Sequence, residues 1–184
     1  RAGSRRRIPI ADQRKRSCVI LALLAAAALD PPGLKPQEGK DGPFKVVVAA
    51  VPDIEQFDRQ WAVRTAGVQL TSTARLTRNK LTYVVVMFGG CQRNVEGKCR
   101  IAVKYEIRQP DGKVYDGMDG SKVAPAVDVP VSREDSYYSA PQRMGVRIEP
   151  GEALGPYEVK VTVSDLIGNH SVSTVQTLNA VEAE

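Results

Sequence analysis

Residues 155–178, GPYEVKVTVSDLIGNHSVSTVQTL, decide the fold class of this chain. From Tyr157 to Ser164 apolar and polar side chains alternate strictly, which places the apolar ones on a single face of a β-strand. Gly168 and Asn169 supply turn residues, and a second β-rich run follows over residues 171–178. The pattern predicts an antiparallel hairpin with one buried face, which needs a second layer to cover it.

Further short β-patterns occur upstream of this hairpin. Residues 81–88 are almost continuously apolar, which predicts a central strand buried on both faces. Alternating patterns also predict strands over residues 101–108 and 144–148, and an apolar run predicts one over residues 44–51. We expect a short helical turn over residues 53–60, a turn at residues 109–112, a possible edge strand at residues 127–131, and one or two short strands before residue 81.

Together these patterns give seven to nine short strands and no convincing amphipathic helix beyond the N-terminal segment. We therefore predict an all-β, antiparallel β-sandwich over residues 44–180, with a barrel as the alternative. Residues 30–43 are half Pro or Gly, and we expect them to form a flexible linker.

The positive charge of the chain is concentrated at its start. The formal net charge is +5, and seven of the 26 Lys and Arg residues lie in residues 1–16, opposite Asp12 alone. An apolar run over residues 18–29 follows, with small residues such as Ala25 and Ala27 near its end. A basic region, a short apolar region and small residues at a cleavage site together predict a secretory signal peptide over residues 1–29. Such a peptide contacts the membrane only during export. The alternative is a retained basic arm followed by a buried helix.

The C-terminal hairpin resembles the last two strands of bacterial immunoglobulin-like and fibronectin-type-III-like secreted domains. The resemblance covers about 25 residues, from Leu154 through Asn169 and into the following strand. It implies that Tyr157 forms a tyrosine corner, in which the hydroxyl bonds back to the loop before the strand. The chain differs from antibody domains because it has no cysteine pair between distant strands.

Cys91 and Cys99 flank a seven-residue loop between two predicted strands. An exported chain meets an oxidising compartment, so we predict a disulfide between them. A metal site is the weaker alternative, since C-x-x-C spacing and a nearby His are missing from the sequence. Cys18 lies inside the predicted signal peptide and lacks a lipidation pattern.

No constellation of residues indicates catalysis. His170 is the only histidine, and it falls in a predicted turn where a solvated imidazole is expected. Glu134, Asp135, Glu149 and Glu152 would serve acid–base chemistry only if the fold brought them together. Nucleotide-binding and hydrolase motifs are absent from the sequence, so we predict no cofactor and a non-enzymatic protein.

Three Asp-Gly pairs begin at Asp111, Asp116 and Asp119. They invite a calcium hypothesis, but Met118 occupies a position where an oxygen ligand is needed. Asp-Gly is also a common turn dipeptide, so turns are the favoured interpretation and calcium the alternative.

Aromatic residues provide the best candidates for binding. Tyr137 and Tyr138 lie between serines in a predicted loop, a composition typical of adaptable contact surfaces. We predict that loop 132–140 contacts a partner. Trp61 would add to a stacking platform or, as the favoured alternative, pack in the core.

These observations predict a periplasmic or secreted binding or structural protein of the cell envelope that recognises a protein or surface polymer through loops or an edge strand. The first alternative is a secreted polymer-acting hydrolase or accessory domain that uses loop carboxylates, with or without calcium. A second alternative is a nucleic-acid or anionic-membrane binder that retains its basic arm. Cleavage of residues 1–29 would remove the argument for nucleic acid, because residues 30–184 are close to neutral.

Overall fold

The structure, a computed structural model, describes residues 36–63, 70–115 and 121–183. Within these ranges the chain is mostly β, which confirms the predicted all-β class. Its strands are β1 (Gln37–Asp41), β2 (Phe44–Val51), β3 (Arg75–Thr77), β4 (Thr82–Gly89), β5 (Lys98–Arg108), β6 (Ser121–Pro130), β7 (Tyr138–Ser139), β8 (Met144–Val146), β9 (Gly155–Asp165) and β10 (His170–Val181). One helix, α1 (Ile54–Ala62), lies between β2 and β3.

The strands form two five-stranded sheets. The first has the order β1-β2-β4-β7, with β8 also paired to β4, and the second has the order β3-β10-β9-β5-β6. Every pairing is antiparallel except that between β3 and β10, which is parallel. The sequence did not reveal this parallel contact, because a three-residue strand carries almost no periodic signal.

The β9–β10 hairpin forms as its alternation predicts. Its register runs from His170 opposite Asp165 to Ala180 opposite Gly155. The inward side chains of β9, from Tyr157 to Val163, are completely buried. They form one core with inward side chains of β2, β4 and β5, so the two sheets cover each other.

Strand β4 is buried on both faces, as predicted from its continuous apolar run. Its second face belongs to a smaller apolar cluster that includes Val85, Met87 and Phe57. Phe57 comes from α1, whose first turn is capped because the Asp53 carboxylate accepts a hydrogen bond from the Gln56 amide at 2.9 Å. The predicted helical turn is therefore a real amphipathic helix that covers part of the outer face of the first sheet.

The core prediction for Trp61 is borne out only in part. Trp61 lies on α1 and stacks on Phe57 with ring centroids 5.6 Å apart. It is partly buried against the outer cluster and does not enter the core between the sheets. The helix, which the sequence presented only as a turn, carries the indole to the other side of the first sheet.

Part of the predicted linker is also ordered. Residues 37–41 form β1 and pair with β2, with Asp41 opposite Phe44. Gly42 has φ +58° and, with Pro43, makes a two-residue hairpin connection. Gly and Pro at this point therefore indicate a tight turn and not a spacer, while residues 30–35 lie outside the described ranges.

The remaining predicted elements are present with different lengths. The predicted edge strand at residues 127–131 is part of the longer β6, which does lie at an edge of the second sheet. The turn at residues 109–112 is followed by a short return in which the Tyr115 amide donates a 2.9 Å hydrogen bond to the Ile107 carbonyl.

The predicted signal peptide lies outside the described residues. No helix in the described part of the chain is long and apolar enough to cross a bilayer.

Candidate binding surface

Tyr138 fixes the loop that precedes it. Its side chain is only 6% exposed and packs near Phe88 in the main core. Its hydroxyl oxygen accepts hydrogen bonds from the amides of Ser132, at 2.9 Å, and Arg133, at 2.7 Å. Tyr138 is therefore an internal anchor of loop 132–140, and its burial removes its ring from the predicted contact surface.

Tyr137 faces the other way, because neighbouring residues in extended chain point to opposite sides. It is 40% exposed and lies on the outer side of the first sheet. Below the loop is Gly89, where an added Cβ would come within 3.0 Å of the Ser136 carbonyl oxygen. Any larger residue would require the Ser136 backbone to move by a few tenths of an ångström, so glycine favours this close crossing beside Tyr137.

Three surface recesses share Tyr137. The first, of about 610 Å³, is largely apolar and includes Val47, Trp61 and Met87. The second, of about 550 Å³, follows the β4 end and the disulfide loop. The third, of about 260 Å³, lies over the β1–β2 hairpin. We call the region formed by the following residues the Tyr137 surface: Glu38, Lys40, Lys45, Val47, Trp61, Met87, Gly89, Arg93 and Tyr137.

Two lysines of the Tyr137 surface lie directly opposite each other. Lys40 on β1 pairs in register with Lys45 on β2, and both side chains are exposed. Lys45 is in turn opposite Gly89 on β4, which has no side chain. Two cations therefore lie in a row beside the recesses that Tyr137 lines.

The carboxylates of the neighbouring loop are already paired. Glu134 forms an ion pair with Arg93, and Asp135 lies 3.7 Å from the Arg133 guanidinium. In the described ranges neither Lys40 nor Lys45 forms an ion pair. The unpaired charges of the Tyr137 surface are consequently these two lysines and Glu38.

The disulfide predicted between Cys91 and Cys99 is present, with an S–S distance of 2.09 Å. Beside it, the Gln92 amide donates a 2.7 Å hydrogen bond to the Asp165 carboxylate. Asp165 is buried and also accepts the Ile167 amide at 3.1 Å. The loop is therefore fixed both to its own strand and to the β9–β10 turn, and it forms a firm wall of the 550 Å³ recess.

The candidate acids do not form one catalytic group. Glu134 and Asp135 line the 550 Å³ recess. Glu152 instead accepts the Tyr115 hydroxyl at 2.6 Å and the Glu149 amide at 2.6 Å. Burial, and then the neighbouring Glu152 carboxylate, raises the pKa of Tyr115, so its hydroxyl stays protonated as the donor.

His170 joins two hairpins. Its Nδ1 lies 3.4 Å from an Asp41 carboxylate oxygen, which also accepts the Ser171 amide at 3.0 Å. The Ser171 amide, with a further contribution from His170, lowers the pKa of Asp41. The contacts give His170 a role in holding β1 against β10.

The calcium candidates are only partly described. Asp111 accepts the Lys113 amide at 3.0 Å and the Lys113 ammonium at 2.9 Å. Hydrogen bonding to Lys113 lowers the pKa of Asp111. Asp116 and Asp119 lie outside the described residues, and no cluster of metal-ligating side chains occurs elsewhere in the described ranges.

Tyr157 makes the contact that its predicted role requires. The Tyr157 hydroxyl donates a 2.8 Å hydrogen bond to the Ala153 carbonyl in the loop before β9. Burial of the ring raises the pKa of this hydroxyl. Tyr157 is a structural residue at the end of the molecule where β9 begins.

Sequence reasoning missed the two lysines. Asp41-Gly42 was a signal for a hairpin turn, and with that turn the register places Lys40 opposite Lys45. The high Pro and Gly content of residues 30–43 concealed this signal.

No protein-family model and no curated protein sequence matches this chain. The resemblance to immunoglobulin-like domains therefore stays a prediction.

Proposed function

We propose that this protein is an exported, non-enzymatic binding protein of the cell envelope, built as an immunoglobulin-like β-sandwich. In this proposal it acts in the periplasm or outside the cell and recognises a protein or surface polymer through the Tyr137 surface. The observation that carries the proposal is the position of Tyr137, an exposed aromatic ring shared by three recesses and held by a buried neighbour.

Three features of the described residues support a binding role. The Tyr137 surface combines an aromatic ring, an apolar recess and flanking charges, a composition typical of contact sites. Its supports are rigid, because Tyr138, Gly89 and the disulfide loop fix the surrounding backbone. The disulfide itself is typical of proteins that leave the reducing cytosol.

Export is tested by the intact mass of the protein recovered from its native cells, with and without alkylation of thiols. The proposal predicts a chain that begins near residue 30, is two hydrogens lighter than its reduced form and resists alkylation. A chain that retains residues 1–29 with three alkylated cysteines would contradict export and favour the basic-arm alternative.

Binding is tested by co-sedimentation of the purified protein with the envelope fraction of the source cells. We expect the wild type to sediment with this fraction and Tyr137→Ala to lose most of the binding. Val175→Ala is the matched control, since Val175 is similarly exposed on the second sheet. Equal sedimentation of all three proteins would contradict a role for the Tyr137 surface.

A further inference from the structure

We propose that the occupant of the Tyr137 surface is an anionic polysaccharide, whose sugar rings pack on Tyr137 and whose negative groups contact Lys40 and Lys45. This inference rests on the proposed function and names the ligand class. It begins from the arrangement of the two lysines, which sequence reasoning did not reveal.

A pair of like charges directly opposite each other on neighbouring strands is unfavourable. Lys40 and Lys45 form such a pair, and no carboxylate among the described residues pairs with either ammonium. Glu38, the remaining acid of the surface, lies opposite Val47. It is two residues before Lys40 and on the same face of the hairpin. Both ammonium groups are exposed to water, and an anionic ligand that contacts both would relieve their mutual repulsion.

The neighbouring acids of loop 132–140 already have partners. Glu134 is paired with Arg93, and Asp135 with Arg133. The charged side chains that line the 260 Å³ recess are Lys40, Lys45 and Glu38, which together carry one net positive charge. This local charge favours an anion although residues 30–184 as a whole are close to neutral.

The shape beside the lysines favours a chain of rings. Gly89 follows Lys45 across the sheet, and the Ser136 backbone of loop 132–140 crosses it beside Tyr137. The apolar face of a sugar ring would pack on the exposed aromatic ring and lose contact with water. Because the recesses adjoin at Tyr137 and Lys45, a polymer would follow the surface from the hairpin towards the disulfide loop.

The test measures binding of the purified, oxidised chain to polygalacturonate, with neutral dextran and polyglutamate as comparison polymers. We expect saturable binding to polygalacturonate that weakens as salt is raised, since exposed charges are screened. We expect the double variant Lys40→Gln, Lys45→Gln and the single variant Tyr137→Ala each to bind about tenfold more weakly. Lys160→Gln removes an exposed lysine from the outer face of β9 and is expected to bind like the wild type.

Three results would overturn the inference. Dextran binding as tight as that of polygalacturonate would remove the role of charge. Polyglutamate binding with the same dependence on Tyr137 would point to an acidic protein partner. An equal loss of polygalacturonate binding in Lys160→Gln would indicate general electrostatic attraction between the polymer and the protein, and not a specific site.

The envelope experiment separates this inference from the proposed function. If Tyr137→Ala loses envelope binding while the double lysine variant keeps it, the anionic ligand is wrong and the binding surface stands. If Tyr137→Ala keeps envelope binding, both fail.

Discussion

Single hydrogen bonds fix the loops at the ends of the sheets. Tyr157 is completely buried, and its hydroxyl reaches the Ala153 carbonyl at 2.8 Å. Tyr157→Phe removes this donor and leaves the carbonyl without it, so we expect a loss of about 1 kcal/mol in the free energy of unfolding. Urea denaturation measures this change in the free energy of unfolding, and Tyr137→Phe is the control because it changes an exposed tyrosine in the same way. An unchanged midpoint for Tyr157→Phe would remove the tyrosine-corner assignment.

Gly90 shows how closely the chain approaches itself beside the disulfide. Its φ is +66°, and an added Cβ would lie 2.0 Å from the Pro43 carbonyl oxygen. Gly97 has a similar φ of +73° but open space around it. We expect Gly97→Ala to cost about 1 kcal/mol, for the backbone conformation alone, and Gly90→Ala about 3 kcal/mol or more. Equal losses in the free energy of unfolding for Gly90→Ala and Gly97→Ala, measured by thermal or urea denaturation, would contradict the close approach of Gly90 to Pro43.

At the scale of elements, the disulfide restrains the connection between β4 and β5. Closing a loop of this length contributes about 2–3 kcal/mol in the chain-entropy model. We expect the double variant Cys91→Ala, Cys99→Ala to unfold at lower urea concentration by that amount, and reduction of the wild type to act similarly. A wild type whose midpoint does not change on complete reduction would contradict this contribution.

The contact between the β1–β2 and β9–β10 hairpins depends on pH. The pKa of Asp41 is lowered from its ordinary value of 3.8, chiefly by the Ser171 amide and further by His170. Its contribution to stability is therefore present above pH about 4 and is lost as the pH falls through the folded-state pKa. We expect Asp41→Asn to reduce the fall in melting temperature between about pH 5 and pH 2, as measured by scanning calorimetry. Because Asp41 is exposed the change is small, and Glu38→Gln serves as the control; identical curves for wild type and Asp41→Asn would contradict this linkage.

The sequence predicts elements well where one periodic pattern dominates. The β9 alternation and the apolar run of β4 determine burial directly, so their faces could be assigned from residues alone. Strand β1 escaped prediction because its five residues lie in a stretch rich in Pro and Gly. Strand β3 agrees with the short strand expected before residue 81, but its three residues carry too little periodic signal to place it. Helix α1 was underestimated, since it has only nine residues and Phe57 is its one buried side chain.

The candidate site was only half predictable for a related reason. Loop 132–140 could be selected from its Tyr and Ser content, but the sequence does not say which of two adjacent tyrosines is buried. That choice depends on the pairing of Tyr138 with Phe88 across β4 and β7. Likewise, the opposition of Lys40 and Lys45 follows from register, which a single turn determines.

At the scale of the whole molecule, the two sheets act as a scaffold that presents the Tyr137 surface on one outer side. The main core lies between the sheets, and α1 covers only part of the outer face of the first sheet. The other outer face, on β9 and β10, is polar and carries hydroxyl pairs such as Thr162 with Ser173 at 2.8 Å. The two faces thus differ in chemistry, which makes the second a natural control for the first.

Site-specific photo-crosslinking in the source cells tests the central claim most directly. The photoreactive residue p-benzoyl-phenylalanine is placed at position 137 in one variant and at position 175 in another. The account predicts an envelope-derived adduct from position 137 that is absent from position 175. Adducts of equal yield from both positions, or none from position 137 in a correctly folded and oxidised protein, would contradict it.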